Sequence, residues 1–152
     1  MLIFTSFKPL SLGKRKWGIA ADYELVDIKD YNLPLLDEPL PASMGQYMSP
    51  HTKARAEKIK LLDAFIFVTG EYNHSLPAAL KNALNYLYAE WNNKAAGFVR
   101  YGSAGGSRAV ELLRLIMDEL LVADVRNQVL LSLFNDFKTI AFLNRHPCKN
   151  AV

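Results

Sequence analysis

Two rhythms of apolar residues alternate along this chain. Short runs rich in β-branched and aromatic side chains, apolar on both faces, predict strands buried between helical layers: Leu2 to Phe4, Tyr23 to Ile28 (YELVDI), Ala64 to Thr69, Ala96 to Tyr101 (AGFVRY) and Gln128 to Phe134 (QVLLSLF). Between them apolar residues recur at helical spacing. Ala54, Ile59 and Leu62 follow a Ser49-Pro50 start. Leu80, Ala83, Leu84 and Leu87 follow a Ser75 cap with Pro77 in the first turn, and Val110, Leu113, Ile116 and Leu120 stripe the segment Ala109 to Leu121. This alternation predicts a single α/β domain over residues 1–152, built on a parallel sheet of five strands. Ligands of such sheets bind at the carboxyl ends of the strands, so the segments after the third and fourth strands are where function is to be sought.

Composition sharpens the picture by exclusion. With 51% hydrophobic residues among 152, the chain has apolar material for one core and not for two. No apolar run approaches the ~20 residues that span a bilayer, and Met1 to Ser6 is too short for the apolar part of a signal peptide, which predicts a cytoplasmic protein with no membrane partner. Net charge is +3, and its one dense cluster, Lys14-Arg15-Lys16, reads as a solvated helix face; no aromatic platform accompanies it, so nucleic acid is not predicted. The lone cysteine, Cys148, has no disulfide partner and no metal-ligand spacing around it. His51, His74 and His146 are scattered, so neither a catalytic residue nor a metal ligand is assigned.

Two loops remain. The third strand gives way to a helix through Gly70-Glu71-Tyr72-Asn73-His74-Ser75, and the fourth through Tyr101-Gly102-Ser103-Ala104-Gly105-Gly106-Ser107. Three glycines in seven residues let a backbone approach a flat ring or a phosphate and present free N–H groups. The spacing is neither that of a Walker A loop nor that of a Rossmann fingerprint. A tight strand-to-helix turn is the structural alternative, and the pairing with the Glu-Tyr-Asn bend favours a site.

The run FVTGEYNHSLPAALKNALNYL, followed by AEWNNKAAGFVRYGSAGGSRAVELLR, resembles the NADPH-dependent FMN reductase family, whose signature reads Pro-Glu-Tyr-Asn, small residues, Pro, then Leu-Lys-Asn-Ala. The likeness runs from about Tyr23 to Phe137. It implies a flavodoxin-like, doubly wound sheet of strand order 2-1-3-4-5, FMN as cofactor, NADPH or NADH as hydride donor, a small-molecule electron acceptor, and assembly into a homo-oligomer, dimer or tetramer. Carried across residue by residue, it places Gly70, Glu71, Tyr72, Asn73 and His74 on one side of the isoalloxazine ring and Tyr101, Gly102, Ser103, Gly105 and Gly106 on the other, with Ser6 and Lys8 towards the phosphate. A flavin accepts hydride at its own N5, so the protein is asked for orientation, dryness and dipoles and not for a nucleophile.

The chain departs from the family in three places. Gly70 stands where the family has Pro, which unlocks φ, predicts a looser bend, and makes Gly70→Pro a stabilising change. Thr5 to Ser11 stands where the family has a Gly-Ser-Thr-Arg-Pro-Gly-Arg phosphate loop: Ser6 and Pro9 agree, and Lys8 keeps a charge without the guanidinium fork. The first helix is shortened to Ser11 to Ala21, with Gly13 and Gly18 inside it, and the last helix is missing, with Pro147 where it would run. Right-handed crossovers put those two helices on one face of the sheet, so that face is expected to be bare and apolar. The altered phosphate loop leaves two alternatives to a working reductase: a non-catalytic member kept as a scaffold or assembly subunit, and a flavin- or nucleotide-carrying module with no nicotinamide site.

Overall fold

The computed structural model describes residues 3–6 and 23–137. The strands are β1 (Ile3–Ser6), β2 (Leu25–Asp27), β3 (Ala64–Gly70), β4 (Ala95–Gly102) and β5 (Ala123–Ser132), and the α-helices are α1 (Pro50–Lys60), α2 (Ala78–Asn85) and α3 (Ser107–Glu119). Short 3-10 helices at Ile28–Tyr31 and Ala42–Met44 punctuate the long connection from β2 to α1. The expected helix at residues 11–21, Lys8, the Lys14-Arg15-Lys16 cluster, His146, Pro147 and Cys148 lie outside the described residues. No described helix is long and apolar enough to cross a membrane.

The strands hydrogen-bond in the order β2-β1-β3-β4-β5. β3, β4 and β5 are parallel, with Val68 opposite Val99 and Val99 opposite Val129. β1 corrects the expectation of a wholly parallel sheet, because it runs antiparallel to both β2 and β3. Four residues satisfy the ladders of two flanking strands in either sense, and antiparallel pairing is slightly the more stable. The consequence matters for the site: Ser6 pairs with Phe65 and so sits at the amino end of β3.

Side chains alternate along β3 and β4, so that Phe65, Phe67, Ala96 and Phe98 are buried on one face. All three α-helices pack there: Ile59 and Leu62 at the end of α1, Leu80 and Leu84 of α2, and Val110, Leu113 and Met117 of α3 join the same core. Trp91 fits its ring against Phe65 at 5.0 Å between centroids. The opposite face carries Ile66, Val68 and Val99, each half-buried, and no described helix shares a core with it.

Several local expectations are revised. β2 is shorter than Tyr23 to Ile28, because the Asp27 carboxylate accepts the Lys29 N–H at 3.0 Å and starts a 3-10 helix at Ile28. β5 begins five residues earlier than Gln128, through a polar stretch that an exposed edge strand tolerates. Pro77, not Ser75, occupies the cap position of α2, and no side chain bonds that helix end. In α1 it is Arg55 that turns inward while Ala54 is exposed. The Arg55 guanidinium lies 5.8 Å over the Trp91 ring and donates to the Ala83 carbonyl. Burial pulls its pKa down to about 10, yet leaves it charged at neutral pH.

Candidate functional site

A cleft of about 690 Å³ opens at the carboxyl edge of β2, β3 and β4. Its far wall is Gly70, Tyr72 and Tyr101, and its floor is the start of α2, Pro77, Ala79 and Ala83. Its near wall is the 3-10 turn after β2, with Asp27, Ile28, Lys29, Asn32 and Leu33. Asn82 closes one side; its Oδ1 accepts the Leu36 N–H at 3.0 Å and its Nδ2 donates to the Pro34 carbonyl at 2.7 Å, which ties the β2–α1 connection to α2.

The bend after β3 is a closed four-residue turn. Tyr72 and Ser75 exchange both backbone hydrogen bonds at 2.9 Å, and the two residues between them, Asn73 and His74, have φ of 46° and 70°. Positive φ at both central positions is the signature of a type I′ turn. Asn tolerates it through its short polar side chain, and His does so at some cost. Both side chains, and that of Tyr72, are exposed.

Glu71 does something the sequence reading did not foresee. Its carboxylate, 8% exposed, accepts the Arg108 backbone N–H at 2.9 Å and the Arg108 guanidinium at 3.0 Å. Arg108 opens α3, so Glu71 caps the helix that follows the other loop. Burial pushes this carboxyl up, but the backbone N–H and guanidinium of Arg108 and the N–H of Ala109 outweigh it and hold Glu71 below the ordinary carboxylate range. The two loops are thereby fastened to one another, and Glu71 faces α3 instead of the cleft.

The glycine loop is shaped by what it lacks. A Cβ on Gly102 would stand 3.0 Å from the Gly106 nitrogen, and one on Gly106, whose φ is 74°, would stand 2.9 Å from the Tyr101 carbonyl. Beneath the loop, Arg100 is 8% exposed; its Nη1 donates to the Gly105 carbonyl at 2.6 Å and to Ser107 Oγ at 2.8 Å, while its Nε finds no acceptor. Ser103 is exposed at the loop's tip. Tyr101 leans over Gly70, where a Cβ would lie 2.9 Å from its ring, so the glycine in place of Pro is what lets this ring close on the bend. Burial, with the Tyr72 phenol beside it, raises the Tyr101 pKa and keeps that hydroxyl a donor.

Of the residues singled out in the sequence, then, Gly70, Tyr72 and Tyr101 line the cleft, and Glu71, Asn73, His74, Gly102, Ser103, Gly105 and Gly106 build the loops around it. Ser6 is not brought there: opposite Phe65, it stands five residues of β3 from Gly70, roughly 16 Å at strand rise. Asp27, Lys29, Asn32, Arg100 and Arg108 were missed. Among the described residues no group of three potential metal ligands assembles. A flat flavin ring fits what is present: the cleft volume is of the usual size for such ligands, and two aromatic residues, Tyr72 and Tyr101, line its wall, with the Tyr101 ring laid over Gly70.

Layered helices on a parallel three-strand core with a cleft at its carboxyl edge define a flavodoxin-like α/β protein, and solved structures share the fold. The flavoenzyme NAD(P)H:(acceptor) oxidoreductase FerB of Paracoccus denitrificans superposes with a TM-score of 0.52 at 22% identity, over 64% of this chain and 54% of that one. Residues 11–136 match the model of the NADPH-dependent FMN reductase family, and the chain belongs to that family. It is 46% identical over 105 residues to an NAD(P)H-dependent FMN reductase of Schizosaccharomyces pombe, aligning 68% of this chain with 52% of the relative. An NAD(P)H-dependent FMN reductase of Saccharomyces cerevisiae is 39% identical over 103 residues, 64% of this chain and 54% of its own. An NAD(P)H:quinone oxidoreductase of Solanum tuberosum is 37% identical over 99 residues, 62% and 49%. The chain spans about half the length of the curated relatives it matches.

Proposed function

We propose that the cleft walled by Tyr72 and Tyr101 binds the isoalloxazine ring of FMN and that the chain holds the flavin of an NAD(P)H-dependent reductase of small molecules. The observation that carries this reading is the pair of loops clasped by Glu71 and Arg108, with the Tyr101 ring laid over Gly70 in the cleft wall that Tyr72 shares. When bound, FMN supplies the hydride acceptor and the electron store. The chain's own residues orient and enclose it. Tyr72 and Tyr101 offer a planar ligand an aromatic wall, the Glu71 clasp fixes the distance between the loops, and Arg100 holds the glycine loop from below with a positive charge that no described carboxylate neutralises. No side chain is needed to donate or abstract a proton from carbon. Small-molecule acceptors in the range of quinones, free flavin, azo dyes and metal oxyanions suit an open cleft of this kind, and a homo-oligomer suits the half-buried face of Ile66, Val68 and Val99.

Titration of the purified protein with FMN, followed by flavin fluorescence and by NADPH consumption with a quinone, tests the reading. Saturable quenching with quinone-dependent turnover is expected; no binding of FMN or riboflavin would overturn it. A second reading, a family member that keeps the fold as a scaffold without turnover, draws on the position of Ser6 at the far end of β3. Flavin binding without NADPH oxidation would favour it.

A further inference from the structure

Gly70 is a glycine for a reason different from that of Gly105 and Gly106. Its φ is not positive, so its backbone does not ask for a missing side chain. The neighbouring strand does. Gly70 stands directly opposite Tyr101 in the β3–β4 ladder, and strand alternation turns the Tyr101 side chain to the face of Val68 and Val99. A Cβ built on Gly70 would lie 2.9 Å from Tyr101 Cε2, 3.0 Å from Cζ and 3.2 Å from the phenol oxygen. The far end of the ring thus rests on the glycine, and both residues line the cleft. Phe137 meets the ring edge-on, with centroids 6.0 Å apart and planes at 62°. The Tyr101 hydroxyl bonds no described residue, and burial keeps it protonated. Tyr72 shares the wall but is 64% exposed.

Width and a donor follow from this posture. Any side chain at position 70 would lift the ring by about 0.5–1 Å, the step from 2.9 Å to ordinary carbon contact at about 3.5–4 Å. A slot for flat ligands feels such a change, because overpacking is costly on this scale. The free hydroxyl, held in the wall, is placed to donate to an oxygen of whatever lies against the ring. We propose that Gly70 and Tyr101 are a specificity-determining pair for the electron acceptor: the glycine lets the ring recline and leaves width for fused rings, and the phenol donates to an oxygen that the acceptor carries. The proposal rests on the flavin reading, since the acceptor must reach a flavin held in this cleft, and adds to it the residues that choose the acceptor.

The test uses two redox-inert probes, chromone, a flat carbonyl compound of two fused rings, and 4-pyranone, its one-ring counterpart. Their Kd values are measured by calorimetry on FMN-saturated protein with no nicotinamide present. Wild type, Gly70→Ala, Tyr101→Phe and the double variant Gly70→Ala with Tyr101→Ala are compared, each checked for folding by circular dichroism. Gly70→Ala should cut the preference for chromone over 4-pyranone several-fold. The double variant, which removes the lifted ring, should restore that preference, a rescue that a merely structural role would not give. Tyr101→Phe keeps the ring and should weaken both probes alike by about two- to tenfold, the range for one neutral hydrogen bond. If Gly70→Ala does not fold, the Tyr101→Phe result alone decides. A wild-type preference in Gly70→Ala, or wild-type affinities in Tyr101→Phe, overturns the pair and leaves the flavin reading standing. A wild type that binds FMN but neither probe does the same. A wild type that binds no FMN overturns the flavin reading and the pair with it.

Discussion

His74 and Gly106 share a backbone angle, φ 70° in the bend after β3 and φ 74° in the loop after β4, yet one carries an imidazole and the other carries nothing. The difference lies in the space around them. At Gly106 an added Cβ would meet the Tyr101 carbonyl at 2.9 Å and both Arg100 Cβ and the Tyr101 nitrogen at 3.1 Å, all of them parts of a buried strand. At His74 the side chain stands in solvent. Left-handed backbone alone costs an ordinary residue about 1–2 kcal/mol, which a turn at a functional edge tolerates. Glycine is required only where steric conflict is added to that. Of the two loops, the second is fixed by absent side chains and the first by a present one, Glu71.

The comparison breaks most readily at Gly106. Gly106→Ala combines the left-handed cost with overpacking against backbone that has no freedom to move, and a loss of about 3 kcal/mol is expected, read as a fall in the urea midpoint at unchanged slope. Gly105→Ala is the control within the same loop. Its φ is 66°, but the Cβ would strike a side chain and not backbone, that of Leu130 with its Cγ at 2.7 Å, which is half exposed and can swing away. Only the backbone term of about 1–2 kcal/mol should remain. Equal losses at the two positions would mean that space is not what separates them.

Glu71 comes next. Glu71→Gln keeps the shape and removes the charge from the clasp on α3, at an expected cost of about 1–2 kcal/mol at neutral pH, towards the low end because Arg108 is 45% exposed. The sign of its pH dependence follows from a folded-state pKa held below the unfolded one: the contribution is complete above the ordinary carboxylate range and disappears as pH falls through the lowered value. The stability gap between wild type and variant should therefore close on acidification. A gap that stays constant down to pH 3 would show that the negative charge contributes nothing.

What the sequence showed of this molecule was its local pattern, and what it hid was direction and distance. β3 and β4 were plain from their β-branched and aromatic runs, and Leu80, Ala83, Leu84 and Leu113 from their helical spacing, because burial writes itself into consecutive residues. β1 has four residues and no pattern that encodes its sense, so its reversal and the displacement of Ser6 could not be read. The first half of β5 is a polar edge, without the apolar signature of an inner strand. Arg55 was not legible as a core residue, because a guanidinium stacked on Trp91 leaves no mark in helical periodicity. At the site, the two loops were legible as motifs, but the partner of Glu71 lies 37 residues away and the cleft's second wall comes from β2. Gly70 misled for a related reason: read locally it was a missing Pro, whereas the Tyr101 ring fills the space that Pro would need. Gly70→Pro is now expected to cost about 1 kcal/mol by turning that ring out, rather than to stabilise the bend.

The smallest effect is the most informative about the bend. His74→Gly removes a Cβ from left-handed backbone, a gain of about 1–2 kcal/mol, and sets against it the larger backbone entropy that glycine loses on folding, about 0.5–1 kcal/mol. A net stabilisation of about 0.5 kcal/mol should appear as a small rise in the urea midpoint. The imidazole is exposed, two residues along the turn from the cleft-lining Tyr72, so folding gives no reason to keep it. If the strain is kept for a ligand, the same substitution should weaken flavin binding while it strengthens the fold. Opposite signs in the two measurements would mark His74 as a residue held for the site. A destabilised variant would show instead that the imidazole supports the turn itself, and the contrast with Gly106 would then rest on packing at both positions.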